Sequence, residues 1–158
     1  MNKNNWKTYV IWIVISNVVG ALSGWLSMEG MEIYSKYVQQ PPLSPPSWLF
    51  PIVWVILYTL MGIAVSRVII SGEKGSCSGA VKIFVIQLAV NFFWPLIFFN
   101  AQAYGPALIW LLILWVLVLL TILQFRKCDK IASWLLVPYL VWLTFAVYLN
   151  AAVWIINR

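Results

Sequence analysis

The sequence predicts an all-α integral membrane protein, a single bundle of five transmembrane helices. Three observations predict it. Of 158 residues, 63% are hydrophobic and only 9% are charged, and mean hydropathy is +0.91; a soluble domain carries about a quarter charged residues. So few charges cannot cover a water-facing surface, which excludes a soluble enzyme and a disordered chain alike. Second, five apolar stretches are each long enough to cross the hydrocarbon core, which takes about 20 residues of helix. Third, no stretch alternates polar and apolar residues as barrel strands do, so helix is the spanning element.

The first span covers residues 9–27. Lys3, Lys7 and the Ala21-Leu22-Ser23 tripeptide resemble a cleavable signal peptide, but the apolar run continues through Trp25 and Leu26 and reads as a span. Gly20 and Gly24 form a GxxxG element, which lets a helix approach closely, within the chain or in a dimer. Residues 28–44 are a long polar connector. Ser44-Pro45 reads as an N-cap followed by proline in the first turn, starting the second helix at 46–70. After a glycine- and serine-rich loop comes the third helix, 80–99. Pro95 removes the hydrogen bond to the Asn91 carbonyl and should bend it. Asn100 to Gly105 is a tight turn, 106–125 the fourth helix, Arg126 to Lys130 a charged loop, and 131–156 the fifth helix. No internal repeat is visible, and five spans do not divide into equal inverted halves, which weighs against a secondary transporter.

Ten Lys and Arg face four acids, a formal charge of +6. The cations sit between apolar runs, where they set orientation rather than bind nucleic acid. Lys3, Lys7, Arg67, Lys74, Lys82, Arg126, Lys127 and Lys130 share one side; Lys36 and Arg158 share the other. The positive-inside rule then puts the N-terminus in the cytoplasm and the C-terminus outside, in a bacterial cytoplasmic membrane. Cys77 and Cys128 fall on the reducing side and are expected to be incidental thiols.

The chain has no histidine, the commonest general base and metal ligand. No Asp or Glu lies within a span, so proton-coupled pumping has no carboxylate to use. Gly72, Gly75 and Gly79 have the wrong spacing for a phosphate-binding loop. No metal site or obligatory cofactor is expected. What does enter the membrane is aromatic and amide. Gln87, Asn91, Trp94 and Phe98 share a face of the third helix; Trp54, Tyr58 and Met61 share one on the second; Pro138, Trp142, Ala146 and Asn150 share one on the fifth. The amides either bond neighbouring helices or join the indoles in lining a cavity for a flat hydrophobic ligand. Among the eleven tryptophans, Trp6, Trp25, Trp134 and Trp154 read as interfacial belt residues, whereas Trp54, Trp94 and Trp142 lie deeper.

These residues resemble the translocator protein or tryptophan-rich sensory protein family, also called the peripheral-type benzodiazepine receptor family. The resemblance runs through Pro45-Pro46-Ser47-Trp48, Pro51, Trp54, Leu57-Tyr58 and Met61-Gly62. It continues with Gln87-Leu88, Asn91, Trp94 and Phe98-Phe99, then Pro138 to Trp142, Phe145-Ala146, Leu149-Asn150, Trp154 and Asn157. It implies a five-helix bundle with a pocket opening toward the first connector. It also implies binding of porphyrins, haem-like tetrapyrroles and isoquinoline carboxamide or benzodiazepine drugs, a sensor role, light-dependent breakdown of protoporphyrin IX, and a homodimer. Tyr34, Trp54, Tyr58, Asn91, Trp94, Phe98, Trp142 and Ala146 are the ligand-binding positions it implies, with Trp54 and Trp142 as oxidisable partners in the photochemistry. Two departures stand out. The connector reads Ile33-Tyr34-Ser35-Lys36-Tyr37, without the family's Trp-Tyr start. Leu149-Asn150 is followed by Ala151 and Ala152, with the next cation at Arg158, so sterol recognition is not supported.

On this reading the indoles stack on the macrocycle, Asn91 orients it, and Lys36 meets its carboxylates. Without histidine, haem iron lacks its usual axial ligand, so metal-free porphyrin should bind comparably. A passive porphyrin carrier is the alternative.

Overall fold

The computed structural model describes residues 3–72 and 76–158. Lys74 and Gly75, counted above among the cations and loop glycines, lie outside these. Among the described residues there are seven α-helices and no strand. In chain order they are α1 (Asn5–Leu26), α2 (Met28–Tyr37), α3 (Leu49–Ser71), α4 (Ser78–Pro95), α5 (Tyr104–Cys128), α6 (Lys130–Leu135) and α7 (Val137–Ile156). A π-helical segment, Leu96–Asn100, continues α4. Five units are long and apolar enough to span a membrane: α1, α3, α4 with its π segment, α5, and α6 with α7.

The helices form a ring. α1 lies along α3, α4 joins α1 to α5, α5 packs on α7, and α6 closes back on α3. The α1–α3 seam is tight because two glycines permit it. A Cβ on Gly62 would sit 2.5 Å from the Ile13 Cα, and one on Gly20 would strike the Tyr58 ring, whereas Gly24 faces open space. The GxxxG element therefore works within the chain, through its first glycine. Ser23 Oγ donates to the Phe92 carbonyl at 2.7 Å and ties α1 to α4. Met61, Phe84, Leu111, Val118, Phe125 and Leu143 fill the interior. The outer faces remain apolar, with Val14, Ile52, Ile86 and Ile109 all exposed, as lipid contact requires.

The structure departs from the sequence reading in four places. The connector 28–44 is not all loop, because α2 occupies its first part. Glu29 in its first turn and Lys36 in its last suit the helix dipole, and Lys36 pairs with Glu32 one turn away. The second spanning helix starts at Leu49 rather than Pro46. Residues preceding prolines are disfavoured in the helical region, so Ser44 and Pro45 stay outside the helix. Ser44 Oγ donates instead to the Pro41 carbonyl at 2.7 Å. The last span is broken at Leu136 into α6 and α7, because Pro138 lacks the N–H that would continue the ladder. The same loss at Pro95 appears as the switch from α to π.

The fourth departure is chemical. Cys77 and Cys128 are not separate thiols; they form a disulfide, with Cα atoms 6.2 Å apart. The loop before α4 and the α5–α6 corner meet at the same end of the bundle, which brings positions 51 residues apart together. Beside them Arg67, expected to reach toward the interface, pairs with Asp129 at 2.9 Å. This end carries Lys3, Lys7, Arg67, Lys82, Arg126, Lys127 and Lys130 and is called the cation-rich end below.

A candidate ligand groove between α3 and α7

Because α3 closes on α6, its other half stands apart from α7. The gap is an open-sided groove of about 550 Å³, within the range of roughly 300–1,000 Å³ typical of small-molecule sites. Val53 and Leu57 line one wall; Val137, Pro138, Val141, Trp142 and Phe145 line the other. Pro138, Val141, Trp142 and Phe145 share one helical face by their spacing. Phe50 meets the Trp142 ring edge-on at 5.9 Å, and Phe145 tilts against Trp142 at 5.6 Å. Phe145 in turn stacks on Tyr148, whose hydroxyl donates to the Pro42 carbonyl at 3.0 Å. An aromatic ladder thus runs from the groove to the strap that follows α2.

That strap is fastened twice more. The Gln39 N–H donates to Asn157 Oδ1 at 3.1 Å, and Asn157 Nδ2 donates to the Gln39 carbonyl at 2.9 Å. α2 itself sits on the π segment. Tyr34 packs against Phe98 and Phe99 with centroids 5.5 and 5.3 Å apart. Burial, with Tyr104 nearby, pushes the Tyr34 phenol up to about 12, so this contact stays neutral at any ordinary pH. The connector therefore covers the end of the bundle opposite the cations.

Behind the groove the interior is filled by a polar chain. Tyr58 donates to Asn91 Oδ1 at 2.8 Å, Asn91 Nδ2 donates to the Tyr139 hydroxyl, and Tyr139 donates to Gln87 Oε1 at 3.0 Å. Gln87 Nε2 ends on the Met61 sulfur at 3.9 Å. All five residues are buried. Trp54 lies over this chain, 5.5 Å from Tyr58 and 6.4 Å from Tyr139.

The eight positions singled out in the sequence therefore fall into three groups rather than one chamber. Trp142 lines the groove, with Ala146 buried one turn further along α7. Trp54, Tyr58 and Asn91 belong to the interior wall behind it. Tyr34, Trp94 and Phe98 form the cluster under α2; Trp94 stacks on Phe98 at 5.0 Å and donates its indole N–H to Asn150 Oδ1 at 3.2 Å. Asn91 and Asn150 are occupied by protein partners, and Lys36 is occupied by Glu32. The indoles differ in one useful way. Trp94, Trp110 and Trp115 all donate to protein acceptors. Among the described residues no acceptor meets the N–H of Trp54 or Trp142, nor that of the half-buried Trp12, which lies away from the groove against Phe84. Sequence reasoning missed Val53, Leu57, Val137, Val141 and Phe145 as lining residues. Phe145, three residues after Trp142, was visible as an extension of the α7 stripe. Tyr139 carried no such signal, because its role depends on partners from α4.

The sequence of this chain is similar to those of known proteins. The sequence profile of the TspO/MBR family matches residues 12–155. The chain belongs to the TspO/MBR family. The tryptophan-rich protein TspO of Chlorobaculum tepidum is 36% identical over 151 residues, covering 95% of this chain and 96% of the relative. Protein CrtK of Rhodobacter capsulatus is 35% identical over 121 residues, 76% of each chain. The human translocator protein is 36% identical over 129 residues, covering 80% of this chain and 75% of the relative. Membership in the TspO/MBR family, with five spanning units, makes this a multi-pass membrane protein and supports a translocator or sensor role.

Proposed function

We propose that this TspO/MBR protein is a membrane receptor for flat, largely apolar tetrapyrroles, protoporphyrin IX in particular. They would be held in the α3–α7 groove against Trp142, with Trp54 next to it. Isoquinoline carboxamide and benzodiazepine-type ligands would share the site. The observation that carries this reading is a nearly all-apolar groove of about 550 Å³ beside two indole donors that the described residues leave without acceptors. A macrocycle meets both needs: its plane offers aromatic contacts, each worth about 0.5–1.5 kcal/mol beyond burial, and its edge offers acceptors. The open side faces lipid, where such ligands partition. The cation-rich end would face the cytoplasm, and two copies would pair as a homodimer.

The test is quenching of tryptophan fluorescence by protoporphyrin IX in detergent micelles. Saturable quenching is expected for the wild type, and Trp142→Ala should weaken binding about tenfold, equivalent to about 1.4 kcal/mol. Equal affinity in Trp142→Ala would remove the groove as the site. Haem and metal-free porphyrin should bind within a few-fold of each other, because the chain has no histidine to ligate iron. A preference of several hundredfold for haem would contradict the site.

A second reading, light-dependent breakdown of the porphyrin, is favoured by the same two oxidisable indoles. The chemistry would come from the excited pigment, with the protein orienting it. Replacing Trp54 and Trp142 together by Phe should abolish a distinct photoproduct while much of the binding remains. Undiminished product in that variant would end this reading.

A further inference from the structure

We infer that the Cys77–Cys128 disulfide is a thiol-exchange site, opened by intracellular thiols of the glutathione class, and that opening it loosens α6 and with it one end of the α3–α7 groove. The inference rests on the orientation proposed above. The bond lies at the end that carries seven described cations against two at the other, the arrangement that places this end in the cytoplasm. Disulfides in that compartment are typically transient or redox-sensing, because thiol pools reduce the rest. A bond formed on this side is therefore one that the cell opens and closes.

The surroundings suit exchange. Both cysteines are half-buried, and their neighbours Ser76, Ser78 and Lys127 are exposed, so a small thiol can reach the sulfurs. Cys77 immediately precedes the first residue of α4 and its carbonyl accepts from the Val81 N–H at 3.2 Å. A sulfur at a helix N-terminus has its negative charge stabilised, and Lys82 follows within the next two turns. Cys77 is thus the better leaving sulfur, and Cys128 the one attacked. In the first step a reductant thiolate bonds to the Cys128 sulfur, the S–S bond breaks, and Cys77 departs as a thiolate that takes a proton from water. In the second, another reductant thiolate attacks the reductant's sulfur in the mixed disulfide. Cys128 is released and protonated, and the small-molecule disulfide leaves. Two electrons and two protons pass to the protein, and two reductant thiols become one disulfide.

The consequence follows from what Cys128 adjoins. It ends α5, and the next residue, Asp129, accepts from the Ala132 N–H at 2.9 Å to cap α6 while pairing with Arg67 on α3. α6 leads through Leu136 to Val137 and Pro138, which line the groove. The disulfide ties the start of this series to the loop before α4. Without it, the corner keeps the Arg67–Asp129 pair, the cap and the packing of buried Ala132 and Leu136, but loses its covalent tie to the loop before α4.

The experiment uses the full chain in detergent micelles and in vesicles. Wild-type protein is equilibrated in glutathione buffers from oxidising to cytoplasm-like ratios, then alkylated with a maleimide polymer and resolved by size. Reversible conversion between no free thiols and two is expected, with a trapped glutathione adduct on Cys128 by mass spectrometry. A bond that stays closed at the cytoplasm-like ratio, or one that does not reform under oxidant, would overturn the exchange. Amide hydrogen exchange over 130–138 should rise at least threefold on reduction and stay constant over 5–37. No change at 130–138 would overturn the coupling to α6. C77S/C128S should match the reduced protein and ignore oxidant, and because the wild type alone supplies the main result, a folding defect in that variant does not blunt the test. An impermeant maleimide added to oriented vesicles after reduction reads the orientation separately. Porphyrin binding enters none of these measurements, so a failed receptor reading leaves them intact.

Discussion

Asn91 shows what a polar side chain inside a membrane bundle is for. Its carbonyl oxygen accepts from Tyr58 and its amide donates to Tyr139, so one residue of α4 joins α3 to α7. Single interhelical hydrogen bonds in membranes contribute about 0.6 kcal/mol on average, but leaving buried partners unsatisfied costs about 1–3 kcal/mol. Without Asn91 the buried Tyr58 hydroxyl has no acceptor and Tyr139 keeps only Gln87, so the second effect dominates. Asn91→Ala should lower stability by about 1–2 kcal/mol, read as a lower thermal midpoint in detergent, while Tyr58→Phe, which keeps the ring, should cost less. A variant with unchanged midpoint but lost porphyrin quenching would show instead that Asn91 serves ligand directly. Trp142→Ala should do the reverse of Asn91→Ala, losing binding with little change in midpoint, because Trp142 is half-buried at an open wall. The face on which Asn91, Trp94 and Trp142 lie was legible from spacing alone. The partners of Asn91 and Trp94 were not: they come from residues 33, 48 and 56 positions away, and helical periodicity carries no information about which faces meet.

At the scale of elements, local chemistry was legible and context was not. The five spans follow from apolar length, and both prolines that interrupt them, Pro95 and Pro138, act through the missing N–H that the sequence already shows. α2 was missed because its residues are polar enough to pass as loop; its place is fixed by a surface that only the fold supplies. Gly30 is the contact point, since a Cβ there would lie 2.6 Å from the Phe99 carbonyl carbon, and Asn100 Nδ2 reaches back to the Leu26 carbonyl at 2.8 Å. Backbone cannot yield as a side-chain tip can. Gly30→Ala should therefore lift α2 off the π segment while the ring of spans persists. Limited proteolysis should show cleavage within 28–44 accelerated several-fold, with unchanged helical circular dichroism. Unaltered cleavage would mean that α2 is held by Tyr34 and the Asn157 clasp alone.

For the whole molecule, the two ends are held by different physics. The end under α2 is closed by neutral contacts, aromatic rings and amide–carbonyl pairs, with Tyr34 protonated throughout the accessible range. The cation-rich end is closed by a disulfide and by Asp129, whose side chain is only 12% exposed. Burial works against the charge of Asp129, yet the Ala132 amide and the Arg67 guanidinium outweigh it and hold the carboxyl below its usual range. A carboxylate with a depressed folded-state value contributes stability that is fully present above its unfolded value, about 3.9, and disappears as pH falls through the folded one. Thermal midpoints should therefore hold steady from neutral pH down to about 5 and then fall as the medium passes below about 4. Asp129→Asn removes the titrating group and should start lower and descend less over that limb. The other acids among the described residues, Glu29 and Glu32, are exposed, and exposed ion pairs contribute little, so they should not reproduce the effect. If Asp129→Asn descends as steeply as the wild type, the acid sensitivity lies elsewhere and the Arg67–Asp129 pair is not what fastens α6 to α3.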